Sequence, residues 1–249
     1  MRYHIITIFP DMFDSYLTQS ILGQAMNAGI IEVTAYDLRS YSEDKHRRVD
    51  GRVYGGGPGM VMWVDPIMKC YEDVVKSIKK RGPSPSLSPQ GRGGNANAVG
   101  VAPSLEGRVG EGPEFRILVV IFTPEKVEFN NLIAENVSKE YSDIIFICGR
   151  YEGIDARVKL ILEDLNIGDV VEWSVGPYVL TGGELPAMIC IDAISRRLPG
   201  VLNNENSIEE NRVSSHEIYG RPEVYDGYKV PEVLLSGHHA NIEKWKEER

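Results

Sequence analysis

Residues 3–9 run Tyr-His-Ile-Ile-Thr-Ile-Phe and stop at Pro10. A β-branched and aromatic run ended by a ring that cannot donate to a ladder predicts a buried strand followed by a turn. Asp11 is placed to cap a helix running to about Ala28, with Gly29 to close it. Residues 30–36 predict a second strand. Residues 37–59 are polar, glycine-rich and aperiodic, a loop of the length that usually carries function. Residues 64–79 place Ile67, Met68, Tyr71, Val74, Val75 and Ile78 at the spacing of one buried helix face. A strand at 117–122, a helix over roughly 125–140 and a strand at 144–148 follow. That order implies an α/β fold, a parallel sheet with helices on its faces. A short helix at 157–165, a short strand at 169–172, a helix at 184–197 after a Gly-Gly turn, and a last helix at 240–248 complete the pattern.

Residues 82–113 break it. Eight Gly, five Pro and four Ser make up 17 of these 32 residues and none is aromatic, too little apolar area to offset ordering entropy. They read as an insertion within a main domain of residues 1–197. Residues 198–215 are polar and Asn/Glu-rich, a linker to a small C-terminal unit at 216–249. The longest apolar runs, 117–122 and 144–148, are far too short to cross a bilayer. The first residues show no basic start followed by a long apolar stretch, so no export signal is expected. Three cysteines without CxxC spacing argue for a reducing, cytoplasmic setting and against a zinc site. The 27 basic and 36 acidic residues leave a net charge of −9, which excludes a generally basic nucleic-acid coat. Residues 39–52 differ: Arg39, Lys45, Arg47, Arg48 and Arg52 against Glu43, Asp44 and Asp50 give 5 − 3 = +2. Contact with RNA through a local patch stays open.

Several segments invite chemistry and also have plainer readings. Tyr54-Gly-Gly-Gly-Pro-Gly-Met60 suggests a phosphate cradle, yet no Gly-Lys-Ser/Thr follows and no strand leads into a GxGxxG helix. Cys148-Gly-Arg-Tyr-Glu-Gly153 begins where a predicted strand ends, the place open α/β sheets reserve for ligands, although a tight turn also needs such glycines. Val175-Gly-Pro-Tyr-Val-Leu-Thr-Gly-Gly-Glu-Leu-Pro186 has glycines that let backbone approach a ligand, such as an adenine edge, and is equally a strand followed by a helix start. The five histidines show no ligand spacing, and no GxSxG elbow exists.

Six blocks stand in one order: Phe9-Pro-Asp-Met-Phe13; Asp50 with Tyr54 to Met60; Gly149-Arg-Tyr-Glu-Gly-Ile-Asp155; Tyr178-Val-Leu-Thr-Gly-Gly-Glu-Leu-Pro186; Arg196 with Pro199-Gly-Val-Leu202; and Arg221-Pro222 through Val230-Pro231 to His238. In this the chain resembles the bacterial tRNA (guanine-37-N1)-methyltransferase family. The resemblance implies a SPOUT-type parallel sheet with a C-terminal trefoil knot, an exception to unknotted connectivity, and a small, mainly helical C-terminal tRNA-binding domain. It implies methyl transfer from S-adenosylmethionine to N1 of guanine 37, yielding S-adenosylhomocysteine. The partners implied are tRNA and a second copy of the chain, with the active site at the subunit interface. It assigns the cofactor to Gly149, Tyr151, Glu152, Val175, Gly176, Pro177, Tyr178, Val179, Leu180, Gly182, Gly183 and Pro186, joined by Ile121, Phe122, Thr123, Pro124 and Glu125. Arg196 matches the catalytic arginine, and His46, Arg47, Arg48, Asp50 and Arg52 would meet the anticodon stem. Magnesium is a family expectation that no ligand cluster in the sequence supports.

The chain departs from that family in two places. Guanine N1 must lose a proton before it attacks, so the reaction wants a base near N1 and positive charge near O6. The family's base is an aspartate after Pro-Gly-Val-Leu; here that position falls on Asn211, in Glu209-Glu-Asn-Arg212. An amide cannot take the proton, so Glu210 or Glu209 serves instead or the proton leaves to water, with Glu210 the expected substitute. The alternative is a catalytically impaired tRNA-binding protein of the same fold. The insertion also carries Ser88-Pro-Gln-Gly-Arg92, a copy of the family's cofactor-loop motif. Thr123-Pro-Glu-Lys126 follows a strong strand at the right distance before Cys148 and is preferred on that context. Glycine loops alone would fit a nucleotide-binding metabolic enzyme of another α/β family.

Overall fold

The apolar runs build one sheet. In a computed structural model that describes residues 1–81, 116–202 and 217–247, the chain divides into two units, Met1–Val201 and Leu202–Arg249. The first unit contains, in chain order, β1 (Arg2–Thr7), a 3₁₀ turn (Pro10–Met12), α1 (Asp14–Leu17), α2 (Ser20–Asn27), β2 (Glu32–Asp37), a 3₁₀ turn (Leu38–Tyr41), β3 (Asp50–Arg52), β4 (Met60–Met62) and α3 (Val64–Arg81). It continues with β5 (Ile117–Glu128), α4 (Asn131–Glu140), β6 (Asp143–Ile147), α5 (Arg157–Leu165), β7 (Asp169–Ser174) and α6 (Glu184–Ser195). Five strands pair in parallel in the order β2-β1-β6-β5-β7. Every residue of β1 and β6 is buried, as expected of central strands covered on both faces.

Alternation along those strands divides the core. Tyr3, Ile5, Val120, Ile144 and Phe146 face one layer with α2, α4 and α6, whereas Ile6, Val119, Ile145 and Ile147 face the other with α3 and α5. Leu198 and Val201 pack into the first layer, so the first unit extends through Val201. At the end of the sheet where β1 and β6 begin, Asp143 accepts from Arg2 Nε and Nη2 at 2.7 Å each and from Ser142 Oγ at 2.6 Å, with His4 Nε2 at 3.1 Å. The carboxylate is fully buried, and this bonding replaces the water it lost.

Three sequence expectations change. The single helix over 11–28 is a 3₁₀ turn and two helices, because extended Gln19 and Ser20 at φ 50° interrupt it; Asp11 lies inside the 3₁₀ turn and caps nothing. The helix over 125–140 begins only at Asn131, where the Asn130 side chain accepts from the Ile133 amide at 3.1 Å. Residues up to Glu128 belong to β5, which bulges so that Phe122 and Val127 both register with Trp173. Within 37–59 lies β3, which pairs antiparallel with β4.

The second unit holds a hairpin of β8 (Val224–Tyr225) and β9 (Tyr228–Lys229), then α7 (Glu232–Leu235) and α8 (His239–Glu247). Asp226 and Gly227, at φ 48° and 84°, make the tight turn that an Asp-Gly pair favours. Tyr219 packs on Trp245 with ring centroids 6.3 Å apart.

Candidate functional site

A parallel sheet delivers the loops after its strands to one edge. The loops after β6 and β7 and the bulge late in β5 meet there. After β6, the chain passes Gly149 and Arg150 and turns at Tyr151, at φ 61°, a strained value for a side chain of that size. Glu152 donates its amide to Met60 O at 2.9 Å, while the Met62 amide donates to Gly153 O and the Asp155 amide to Met62 O, both at 3.0 Å. These bonds fix the glycine loop between β3 and β4 beside the 149–155 segment.

The loop after β7 closes onto the same segment. Gly182 forms an antiparallel bridge with Arg150, and the Gly183 amide donates to Gly149 O at 2.9 Å. A Cβ on Gly183 would lie 2.7 Å from Cys148 Cα, so backbone meets backbone and only glycine fits. Pro186 is buried in the first turn of α6. Val175 to Leu180 form the outer arch of this loop. Ser174 Oγ donates to Gly176 O at 3.0 Å, Tyr178 Oη donates to Val175 O at 2.9 Å, and Pro177, Tyr178 and Val179 are exposed. In β5, Ile121 is buried and the Phe122 ring stacks on Phe146 at 5.7 Å. Thr123 Oγ1 is buried without a hydrogen-bond partner, and Pro124 and Glu125 are exposed on the bulge. The proposed cofactor residues are thus gathered at one sheet edge.

Arg196 is not gathered with them. It follows the last residue of α6, and thirteen residues at the helical rise put it about 20 Å along the axis from Gly183. Leu185, Ile189, Asp192 and Arg196 fall on one stripe of that helix. Leu185 and Ile189 are exposed, and Asp192 accepts from Tyr16 Oη at 2.5 Å. Glu209, Glu210 and Asn211 lie outside the described residues.

The basic patch divides in two. His46, Arg47 and Arg48 are exposed on the loop before β3, but Arg48 is tied to Asp44 through Nε at 3.1 Å and Nη2 at 2.6 Å. That fork holds the Asp44 carboxyl well below the usual range. Asp50 and Arg52 sit on β3, and Arg52 lines a groove of about 630 Å³ with Tyr54, Trp63, Met68, Asp155 and Arg157. This groove is lined by the hairpin, α3 and one side of α5, apart from the loops after β7. Among the described residues no group of three or more His, Cys, Asp or Glu is placed to hold a metal ion. Cys70, Cys148 and Cys190 are free thiols; burial pushes all three up, Cys70 to about 12.

Sequence reasoning passed over the residue with the most connections at this edge. Arg150 donates through Nη1 to Thr181 O at 3.2 Å, lies 4.7 Å above the Phe9 ring and meets the buried carboxyl of Glu184 at 2.9 Å. Thr7 Oγ1 donates to the other Glu184 oxygen at 2.8 Å. An arginine after a glycine and an acid after a Gly-Gly pair were visible, but their pairing spans 34 positions and needs the fold.

The family model described as tRNA (Guanine-1)-methyltransferase TrmD matches residues 1–101 and 90–249, two segments that meet within the insertion. The chain is 45% identical to a protein of Lachnospira eligens over 253 aligned positions, covering 100% of this chain and 89% of that one. It is 44% identical to a protein of Lachnoclostridium phytofermentans (100% and 86% covered) and 40% identical to one of Clostridioides difficile (100% and 91% covered). All three carry the name tRNA (guanine-N(1)-)-methyltransferase. With both the family model and these relatives aligned along nearly its whole length, the chain belongs to the tRNA (guanine-1)-methyltransferase family.

Proposed function

We propose that this chain transfers a methyl group from S-adenosylmethionine to N1 of guanine 37 in tRNA. The observation that carries the reading is the meeting of residues 121–125, 149–152 and 175–183 at one edge of the sheet, cross-tied by the Gly183 to Gly149 hydrogen bond. The cofactor supplies an electrophilic methyl group on a sulfonium. The residues present fit it: main-chain groups within 175–180 would take an adenine edge, and Thr123 Oγ1, buried without a hydrogen-bond partner among the described residues, suits a polar atom of the ligand. Gly149, Tyr151, Glu152, Gly182, Gly183 and Pro186 complete the lining. In the family's topology these crossing loops form the trefoil knot.

The nucleobase needs groups from elsewhere. Arg196 would place its guanidinium at guanine O6, where negative charge grows as N1 loses its proton, and Glu210 would take that proton. A separation of about 20 Å between Arg196 and Gly183 along α6 argues against one chain supplying both halves. A homodimer resolves it, with the cofactor loops of one subunit facing the Arg196 of the other. The exposed Leu185 and Ile189 support this, because the first half of α6 is apolar on its outer side as well as its buried one. RNA contact falls to His46, Arg47 and the β3 residues Asp50 and Arg52. Asn211 favours one second reading, a tRNA-binding protein with impaired catalysis.

Labelled methyl transfer to tRNA transcripts carrying guanine or adenine at position 37 separates these readings. Guanine-dependent incorporation is expected. Binding without incorporation would favour the impaired protein, and neither binding nor incorporation would refute both.

A further inference from the structure

We infer that Glu184 is a positioning residue for the cofactor loop 175–183, acting through Arg150. The inference rests on the proposed cofactor site and adds a device that holds it in shape. Glu184 opens α6 and is 1% exposed, yet its carboxyl has no apolar use there. One oxygen accepts from Thr7 Oγ1, which fastens it to the end of β1. The other lies 2.9 Å from Arg150 Nε, an ion pair held by charge, since neither of the two buried atoms has a hydrogen-bond partner among the described residues. Removal from water leaves the guanidinium and the carboxyl dependent on each other.

The pair lies directly against the loop. A Cβ on Gly182 would fall 2.2 Å from Arg150 Nε and 2.5 Å from Glu184 Oε2, so the backbone at 182 rests on both charged groups. From that position Arg150 Nη1 reaches the Thr181 carbonyl, and the guanidinium plane covers Phe9, which itself lies 5.5 Å from Arg39 on β2's following turn. A planar group with several donors can hold a carboxylate, a carbonyl and a ring at once, which a simple ammonium cannot. Glu184 thereby fixes the angle of Arg150, and Arg150 fixes the height of residues 181–183 above the sheet. Glu184 itself lies beneath the loop and touches no reactant.

The test uses the full chain with Glu184→Gln, Arg150→Met and the double variant, read by amide hydrogen exchange and by calorimetric binding of S-adenosylhomocysteine. Glu184→Gln keeps the shape and the Thr7 contact but removes the charge that orients Arg150. We expect amides of 176–183 to exchange about tenfold faster and the product to bind about tenfold more weakly, with exchange in β1 and β6 unchanged. The double variant, which leaves no unpaired buried charge, should be no worse than Glu184→Gln alone, because one residue works through the other. Unchanged loop exchange, additive losses, or equal acceleration across the whole sheet would overturn the inference. Wild-type protein that binds no product would instead overturn the cofactor site on which it rests.

Discussion

Asp143 is a carboxyl that stabilises, and Glu210 is the one proposed to react. Asp143 is fully buried: burial pushes its proton affinity up, and the hydrogen bonds from His4, Arg2 and Ser142 outweigh this and lower it overall. Its folded value lies below its unfolded one, so its contribution is complete above about pH 4 and lost as pH falls through the folded value. Asp143→Asn leaves Arg2 buried opposite an amide and should cost about 3–5 kcal/mol in urea unfolding at pH 7, a gap that narrows towards pH 3. Glu210 is expected to serve as the base that Asn211 cannot be. Glu210→Gln should lower single-turnover methylation of guanine-37 tRNA by about 10²-fold with tRNA affinity kept; an unchanged rate would remove Glu210 from the reaction. At this scale the sequence was half legible. Gly182 and Gly183 announce close approach by themselves, whereas Glu184 looks like an ordinary first-turn acid until Thr7, 177 positions away, is seen beside it.

The elements show why. α3, α5 and α8 could be placed within about two residues because each declares itself by local periodicity or capping. β5 could not. Glu125, Lys126 and Glu128 are ordinary helix formers, and only pairing with β7 pulls them into a bulged strand, a tertiary override of local preference. β3 and β4 have three residues each, too few to establish a period. α6 carries the main mechanistic consequence, since it holds Gly183 at one end and Arg196 at the other. Co-expressing an Arg196→Ala chain with a Gly183→Val chain should restore about a quarter of wild-type activity through mixed dimers, each having one complete site. Each variant alone should be inactive. Absence of recovery would place both groups in one chain.

Across the whole molecule, an overall charge of −9 coexists with a positive stretch at 39–52. Arg48 is already paired with Asp44, which leaves the balance at 4 − 2 = +2 but one cation fewer to meet phosphate, so the salt dependence of tRNA binding should be shallow. The parallel sheet was legible from the order of strands and helices. The order of strands within the sheet was not, because it is set by crossings that leave no local trace. Residues 82–113 interrupt that order without contributing a strand to it in the sequence reading, and the cofactor motif they contain competes with Thr123-Pro-Glu-Lys126. Deleting residues 83–113 should leave the affinity for S-adenosylhomocysteine within about twofold by calorimetry; a loss of tenfold or more would show that the copy at Ser88 is the working one. The central claim is a reaction at one atom of one base. After incubation of the protein and S-adenosylmethionine with a tRNA transcript, nucleoside and fragment mass spectrometry should find 1-methylguanosine at position 37 and nowhere else. A methyl group on another base or another guanine atom, or none in protein that binds the tRNA, would contradict it.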